Sequence, residues 1–152
     1  MPYVHDDDPE GVCGVCEHVA AGDESLVVAR GATSLAFVPS RQPTYGTTLV
    51  VPTRHVLHPL DLSNEEADDL FLTLRAAVGA TMTALDCESS HISQYVGALA
   101  EEPTAHLHWR LEPRYSGPPT TWTPLHRLEP TARDERRAIG ERLRGGLPAA
   151  DH

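Results

Sequence analysis

A short alternating run between residues 105 and 114 holds the residues best suited to chemistry in this chain. His106, His108 and Arg110 recur at every second position, with apolar residues between them, until Pro113 ends the run. Side chains at alternate positions of an extended strand share one face, so the run predicts two imidazoles and a guanidinium on one ledge. A neutral imidazole can attack phosphorus, and arginine offers a planar fork of donors to phosphate oxygens. The pattern indicates a phosphate site, although it is equally typical of a half-buried edge strand with solvated polar side chains.

Two of the three cysteines, Cys13 and Cys16, stand at the spacing of paired zinc ligands. Such a pair places two thiols on one tight turn, as in structural zinc sites. A redox motif and two unrelated small residues remain alternatives at this point. A thioredoxin-like redox role is disfavoured because no βαβ pattern surrounds the pair. The third cysteine, Cys87, follows a helical pattern and is interpreted as an inert small residue.

Alternation, helical periodicity and turn residues predict the elements that must position these side chains. Ser63 followed by Glu66 is a capping-box signature, and the apolar spacing beyond it predicts an amphipathic helix of roughly 20 residues. A short, mostly solvated helix is predicted at residues 131–145. Strands are predicted at residues 25–30, 33–38, 46–51, 92–97 and 105–112. The order indicates an α+β fold, a five-stranded antiparallel sheet with one long helix packed on it and a short C-terminal helix.

Length and charge restrict the class of protein. A chain of 152 residues suffices for one compact domain with its own core. The formal net charge of -10 argues against binding duplex nucleic acid, which requires a basic surface. A mononucleotide remains possible, because a local cluster of Arg, His and backbone N–H groups can meet its few phosphate charges. With no apolar run of about 18 residues and no leader pattern, a cytoplasmic protein is expected.

The alternating run resembles the signature of the histidine-triad (HIT) superfamily of nucleotide hydrolases and transferases. That signature reads His-x-His-x-His with apolar residues between, often followed by Pro-Arg. His106 and His108 match its first two histidines and Pro113-Arg114 the trailing pair, while Arg110 stands where the third histidine belongs. The resemblance extends over residues 13–115 and implies a HIT-like domain there. Residues 1–12 are then expected to be a flexible acidic N-terminus, and residues 116–152 a Pro-rich extension with the short helix.

The resemblance implies catalytic roles for His106, His108 and Arg110. His108 would attack the α-phosphorus of a nucleotide conjugate through Nε2, giving a nucleotidyl-imidazole that water or another acceptor resolves. A backbone carbonyl accepting from Nδ1–H would set the required tautomer. Arg110 would stabilise charge on the phosphate oxygens but cannot act as an acid near neutral pH. We therefore expect leaving groups of low pKa, such as phosphate or sulfate, rather than amines.

The zinc-containing branch of the superfamily also implies a ligand set. Its metal is held by an N-terminal Cys-x-x-Cys, a histidine after the third strand and the first triad histidine. These positions correspond to Cys13, Cys16, His55 and His106, a closed Cys₂His₂ set that implies a structural Zn²⁺. His58 is the obvious substitute ligand. The remaining histidines are interpreted as surface residues: His5, His18, His91, His126 and His152.

Substrate contacts follow from the same resemblance. Pro39 replaces the acidic residue that binds ribose hydroxyls in many members, and Thr47 replaces the histidine of a Gly-His pair. Glu101-Glu102 stands where many members carry Gly-Gln. The expected partners are a nucleotide or nucleotide conjugate and a second copy of the chain, with a catalytically weakened nucleotide binder and a metal-stabilised interaction module as alternatives. The expected substrate-binding residues are Phe37, Val38, Pro39, Gln94, Glu102 and Thr104.

Overall fold

A computed structural model describes residues 13–96, 106–117 and 127–149. The predicted flexible N-terminus therefore lies outside the described residues, as do Glu101, Glu102, Thr104, His5, His126 and His152. The helices are α1 (Gly14–Ala21), α2 (Asn64–Ala84) and α3 (Arg133–Gly145), and the strands are β1 (Val27–Arg30), β2 (Ser34–Phe37), β3 (Thr48–Pro52), β4 (Ser89–Ser93) and β5 (Trp109–Arg114). Short 3₁₀ turns at Glu24–Leu26 and Pro59–Asp61 connect them.

The five strands form one antiparallel sheet in the order β1-β2-β3-β5-β4. This confirms the predicted α+β class and strand number. The register places Phe37, Leu49 and Arg110 opposite one another on β2, β3 and β5. Side chains directly opposite in a sheet share a face, so Arg110 lies on the face that carries Phe37 and Leu49.

The two faces of the sheet are covered by different helices. On one face, α2 and α3 pack over a core that includes Ala36, Val50 and Leu111. On the other, α1 contributes Val15 to a second apolar cluster on β1, β2 and β3, built with Val27, Leu35, Phe37, Leu49 and Val51. Helix α1 therefore covers the first three strands on this face, and Arg110 of β5 lies on the same face.

Helix α2 begins as the sequence predicts. Ser63 Oγ accepts from the N–H of Glu66 at 3.1 Å, and Glu66 Oε2 accepts from the N–H of Ser63 at 2.9 Å, which is a complete capping box. Phe71, an apolar residue of the same helix, is 61% exposed. Among the described residues, none of the helices is both long and apolar enough to cross a membrane.

The boundaries of three predicted strands change. Strand β5 begins at Trp109 rather than at residue 105, so His106 and His108 lie on the backbone that leads into it. Strand β4 spans Ser89–Ser93 rather than 92–97, and Ser25 and Leu26 belong to a 3₁₀ turn that precedes β1. Helix α1 was not predicted at all. Its eight residues are too few to form a stable helix alone, and tertiary contacts of Val15 and the cap at Cys13 hold it.

Helix α3 is less solvated than its composition suggests. Ile139 and Leu143 are 1% and 0% exposed, and both belong to the core beneath α2. The arginines of the helix also reach backbone carbonyls of the sheet edge: Arg144 Nη1 donates to the carbonyl of Val27 at 2.8 Å, and Arg136 Nη2 to that of Val38 at 3.0 Å. The predicted C-terminal helix is confirmed and most of its residues are exposed, while a narrow apolar stripe docks it on the core.

Candidate metal centre and phosphate site

Four side chains from three distant segments converge on one point. Cys13 and Cys16 come from the start of α1, His55 from the loop after β3, and His106 from the segment before β5. Their ligand atoms all lie within 4.8 Å of one another, and the four residues could hold a metal ion. His106 is buried, the cysteines are half-buried and His55 is exposed. His58, the substitute ligand, instead accepts from the N–H of Leu60 and caps a 3₁₀ turn.

The distances within this cluster suit tetrahedral coordination. His106 Nδ1 lies 3.4 Å from Cys13 Sγ and 3.6 Å from Cys16 Sγ, and His55 Nδ1 lies 3.3 Å from Cys16 Sγ. Typical Zn–S and Zn–N bonds at a tetrahedral angle separate sulfur and nitrogen by about 3.6 Å. The donor set and its spacing therefore fit zinc.

Hydrogen bonding and burial prepare His106 to be a ligand. Its Nε2–H donates to the carbonyl of Pro52 at 2.8 Å, which leaves the Nδ1 lone pair directed at the two sulfurs. Burial lowers the pKa of His106 to about 4, although the bond to Pro52 opposes this shift. Burial also raises the pKa of Cys16 to about 11, and its contact with Cys13 adds to the shift. The surroundings of the two neighbouring thiols disfavour their ionisation. A cation bound between the two sulfurs would instead favour the thiolate form.

The two histidines of the candidate site are held by contacts around β3 and α2. The N–H of Leu107 donates to the carbonyl of Val56 at 2.7 Å, which ties the segment of His106 to that of His55. Next to His55, Arg54 makes two hydrogen bonds to Glu66 at the start of α2, 2.9 and 2.8 Å long. The Arg54 bonds, with the backbone bond from Ser63, lower the pKa of Glu66 to about 2. The loop carrying His55 is thereby attached to the long helix.

His108 lies close in sequence to His106, one of the four candidate metal ligands. A backbone carbonyl determines the orientation of its ring. Its Nδ1 is 2.8 Å from the carbonyl oxygen of His106, so Nδ1–H is the donor. The Nε2 atom then carries the lone pair, as a nucleophile requires. The side chain is 4% exposed, which keeps the ring in a rigid and largely dry environment.

Arg110 follows on the same side, at the first part of β5. The residue is 7% exposed, and its Nη1 lies 3.9 Å from Glu112 Oε1. The carboxylate of Glu112 partly offsets the positive charge of the Arg110 guanidinium. A buried guanidinium two residues from the His108 imidazole is a suitable arrangement for binding the non-bridging oxygens of a phosphate.

The predicted substrate residues are distributed over both faces of the sheet. Phe37 lies on the face of Arg110, but it is only 4% exposed. Val38 is fully buried in the core under α2 and α3, so its side chain is not available on the phosphate side. Pro39 follows, half-buried, with its carbonyl accepting from Gln42 Nε2 at 3.2 Å. Gln94 comes directly after β4, beside the strand that carries Arg110.

His18, interpreted from the sequence as a surface histidine, lies on the face of the sheet that carries Phe37. The His18 ring is stacked on Phe37 with ring centroids 4.1 Å apart and planes 22° from parallel. Burial lowers the pKa of His18 to about 4, and the nearby charge of Arg136 lowers it further. The signal in the sequence is the spacing of Val15, His18 and Val19, which share one side of a helix. That spacing becomes readable once the cysteine pair is placed on a helix rather than on a tight turn.

Comparisons with known proteins point to one fold. No family model matches the chain. The "Uncharacterized HIT-like protein SSO2163" of Saccharolobus solfataricus is 28% identical over 108 residues, 71% of this chain and 78% of the relative. The "Adenosine 5'-monophosphoramidase hnt1" of Schizosaccharomyces pombe is 25% identical over 134 residues, 86% of this chain and 95% of the relative.

A solved structure agrees with these relatives. The crystal structure of a Zn-bound histidine triad family protein from Mycobacterium smegmatis superimposes with a TM-score of 0.69, at 23% identity, covering 89% of this chain and 92% of that one. The chain therefore has the same fold as this histidine triad family protein.

Proposed function

We propose that this chain is a nucleotide hydrolase or nucleotidyltransferase of the histidine-triad type, acting at the α-phosphate of a nucleotide conjugate. The observation that carries the proposal is the hydrogen bond from His108 Nδ1–H to the carbonyl of His106, 2.8 Å long. In the neutral ring this bond places the lone pair on Nε2, which would attack the α-phosphorus while the bond from phosphorus to the leaving group breaks. The covalent nucleotidyl-histidine then transfers its nucleotidyl group to water or to a second acceptor, and His108 is regenerated.

Arg110 supplies the positive charge of the proposed site. Its guanidinium would bind the non-bridging oxygens of the α-phosphate. It would thereby stabilise the negative charge on these oxygens in the transition state. Unlike the histidine it replaces, it cannot protonate a leaving group near pH 7. We infer that the substrates carry leaving groups that depart as stable anions, such as a phosphate or a sulfate.

Zinc is proposed as the metal of the Cys13, Cys16, His55 and His106 cluster. A complete Cys₂His₂ set leaves no position for water or substrate, so the metal would have a structural role. The second triad position, His108, is outside the cluster and can serve the reaction while His106 serves the metal. In addition, the carbonyl that sets the His108 tautomer belongs to the ligand His106. The metal would thus stabilise the backbone that orients the nucleophile.

The proposal is tested by capturing the covalent intermediate. The protein is mixed with dinucleoside polyphosphates labelled at the α-phosphate, quenched with base to preserve a phosphoramidate, and digested for mass spectrometry. We expect one nucleotidyl group per active chain, located on the peptide that contains His108. Turnover without any label on His108, or label on a different residue, would overturn the proposed mechanism.

Arg110→His should redirect leaving-group preference. The wild type is expected to favour nucleotides with phosphate or sulfate leaving groups over adenosine phosphoramidates. The new imidazole can donate a proton, a contribution that usually amounts to about 10²–10⁴-fold, so phosphoramidase kcat/KM should rise at least roughly tenfold. Arg110→Gln is the matched control, since it removes the charge without adding an acid. If phosphoramidates are the best wild-type substrates, the inference from Arg110 is wrong.

A catalytically weakened nucleotide binder is the second candidate. The observation in its favour is the 3.9 Å approach of Glu112 to Arg110, which competes with a phosphate for the guanidinium. The two candidates differ in the capture experiment. A weakened binder would bind nucleotides in calorimetry without becoming labelled on His108.

We also propose that the protein forms a homodimer. Strand β4 is at the edge of the sheet, and apolar side chains lie exposed on or just beyond it, Ile92 at 39%, Tyr95 at 44% and Val96 at 43%. An exposed, apolar edge strand tends to pair with another chain. Sedimentation velocity should give the mass of two chains, and Ile92→Lys should shift the protein toward monomer. A wild type that stays monomeric at high concentration would contradict this proposal.

A further inference from the structure

Glu112 is the charged neighbour of Arg110 on the same face of β5. Residues two apart in an extended segment share a face and lie about 7 Å apart, so His108 precedes Arg110 and Glu112 follows it along one row. Glu112 Oε1 lies 3.9 Å from Arg110 Nη1, and the two side chains are only 18% and 9% exposed. A carboxylate with so little exposure normally has a charged partner, and Arg110 is in that position here. The pair therefore belongs to the proposed phosphate site rather than to the solvated surface.

The neighbouring strands limit the directions in which the guanidinium can lie. The register places Leu49 of β3 and Ser93 of β4 directly opposite Arg110. Cross-strand neighbours of this kind have Cβ atoms about 4.5–5.5 Å apart. Leu49 is apolar and Ser93 carries no charge, so neither is an ionic partner for the guanidinium. The side chain leans along its own strand instead, and the charge of Glu112 favours the direction that leads away from His108.

The distance between the two charged groups indicates attraction without a direct bond. Charge-assisted N–H···O bonds are about 2.7–2.9 Å long, so the 3.9 Å contact between Nη1 and Oε1 is an electrostatic pair rather than such a bond. A guanidinium drawn toward Glu112 does not pack onto the His108 ring, where phosphorus must approach Nε2. The carboxylate thus fixes the cation on one side of the proposed phosphate and keeps it off the nucleophile.

We propose that Glu112 is a positioning residue for Arg110, holding the guanidinium where it binds the non-bridging oxygens of the α-phosphate while His108 attacks. This inference rests on the proposed function. The competing role is the one that favours a weakened binder, in which Glu112 engages the guanidinium in place of the phosphate. The two roles predict opposite changes in catalysis when the carboxylate charge is removed.

Glu112→Gln keeps the size of the side chain and removes its charge. For positioning, kcat for a dinucleoside polyphosphate should fall about tenfold, because a misplacement of about 1 Å can cost as much as 10²-fold in rate, while KM stays within about threefold. Glu112→Asp retains the charge and should keep kcat within about threefold of the wild type. Glu24→Gln is the matched control, since Glu24 pairs with Arg30 on the exposed surface. A higher kcat/KM in Glu112→Gln would demonstrate competition and overturn the proposal.

A double-mutant cycle with Arg110 separates positioning from a purely structural role. In the Arg110→Gln background, Glu112→Gln should change kcat by less than about twofold, because no guanidinium is left to position. An equal loss of kcat in both backgrounds, or no loss in either, would overturn the proposal. If the wild type is labelled on His108 and Glu112→Gln has the wild-type kcat, only the positioning role is wrong. A wild type that neither turns over dinucleoside polyphosphates nor becomes labelled refutes the proposed function and the positioning role together.

Discussion

Replacing His108 with alanine is expected to reduce turnover of nucleotide conjugates on the order of 10⁴-fold or more, the scale seen when a covalent nucleophile is removed. The variant should also lose all covalent label in the capture experiment. The reason is local: because Nδ1–H donates to the carbonyl of His106, the neutral ring of His108 carries its lone pair on Nε2, the atom that would attack phosphorus. Arg110 can still bind a phosphate in the variant, so nucleotide affinity should fall much less than turnover.

The control for this substitution is another histidine outside the proposed machinery. His58 caps a 3₁₀ turn through the N–H of Leu60 and is not part of the metal cluster, so His58→Ala should retain activity. The metal content and melting temperature of His108→Ala should be measured alongside, because the side chain is 4% exposed and its removal leaves a small void. If folded, metal-loaded His108→Ala still turns over substrate, His108 is not the nucleophile.

Elements with strong local signals were predictable from the sequence. Helix α2 is one, since the capping box at Ser63 and Glu66 forms as the residues suggest. The strands of the sheet are another, because turn residues and β-rich runs place each one to within a few residues. These signals depend on neighbours in the chain, so they can be read without knowledge of the fold.

Elements that depend on distant contacts were not predictable in the same way. Helix α1 has eight residues, and its stability comes from Val15 in the core and from its contact with strand residues. Helix α3 was predicted, but its many arginines obscure the burial of Ile139 and Leu143 beneath α2. The β5 boundary moves because the N–H of Leu107 bonds to Val56 in a loop instead of continuing the ladder.

The candidate site shows the same division. The candidate metal ligands and His108 were predicted from sequence motifs, and the fold brings Cys13, Cys16, His55 and His106 together. Nothing in the motif reveals that His18 covers Phe37, because this contact depends on the angle at which α1 packs on β2. The burial of Val38, which follows β2, likewise depends on the packing of α2 and α3 over the sheet.

Loss of the metal is expected to have the largest effect on stability. Cys16→Ser should abolish stoichiometric zinc, measured by plasma emission spectroscopy, and lower the melting temperature by roughly 10 °C. That change corresponds to about 4 kcal/mol, well below the 10–16 kcal/mol of zinc-finger peptides, since the apolar clusters of this chain support most of the fold without metal. Cys16 is half-buried, so serine at this position tests coordination with little change in packing.

Cys87→Ser is the matched control within the same chain. Cys87 is also half-buried, but it contacts Met82 and the carbonyl of Thr81, far from the metal cluster in the sequence and absent from its ligand set. We expect this variant to keep one zinc per chain and a melting temperature within a few degrees of the wild type. A Cys16→Ser protein that retains full zinc, or a chelated wild type that melts at its original temperature, would rule out the structural metal.

Because the ligands join residues 13–16, 55 and 106, the chelated protein should lose protection from hydrogen exchange first where these three segments meet. Loss of protection confined to α3 would point instead to a metal-independent weakness of that helix.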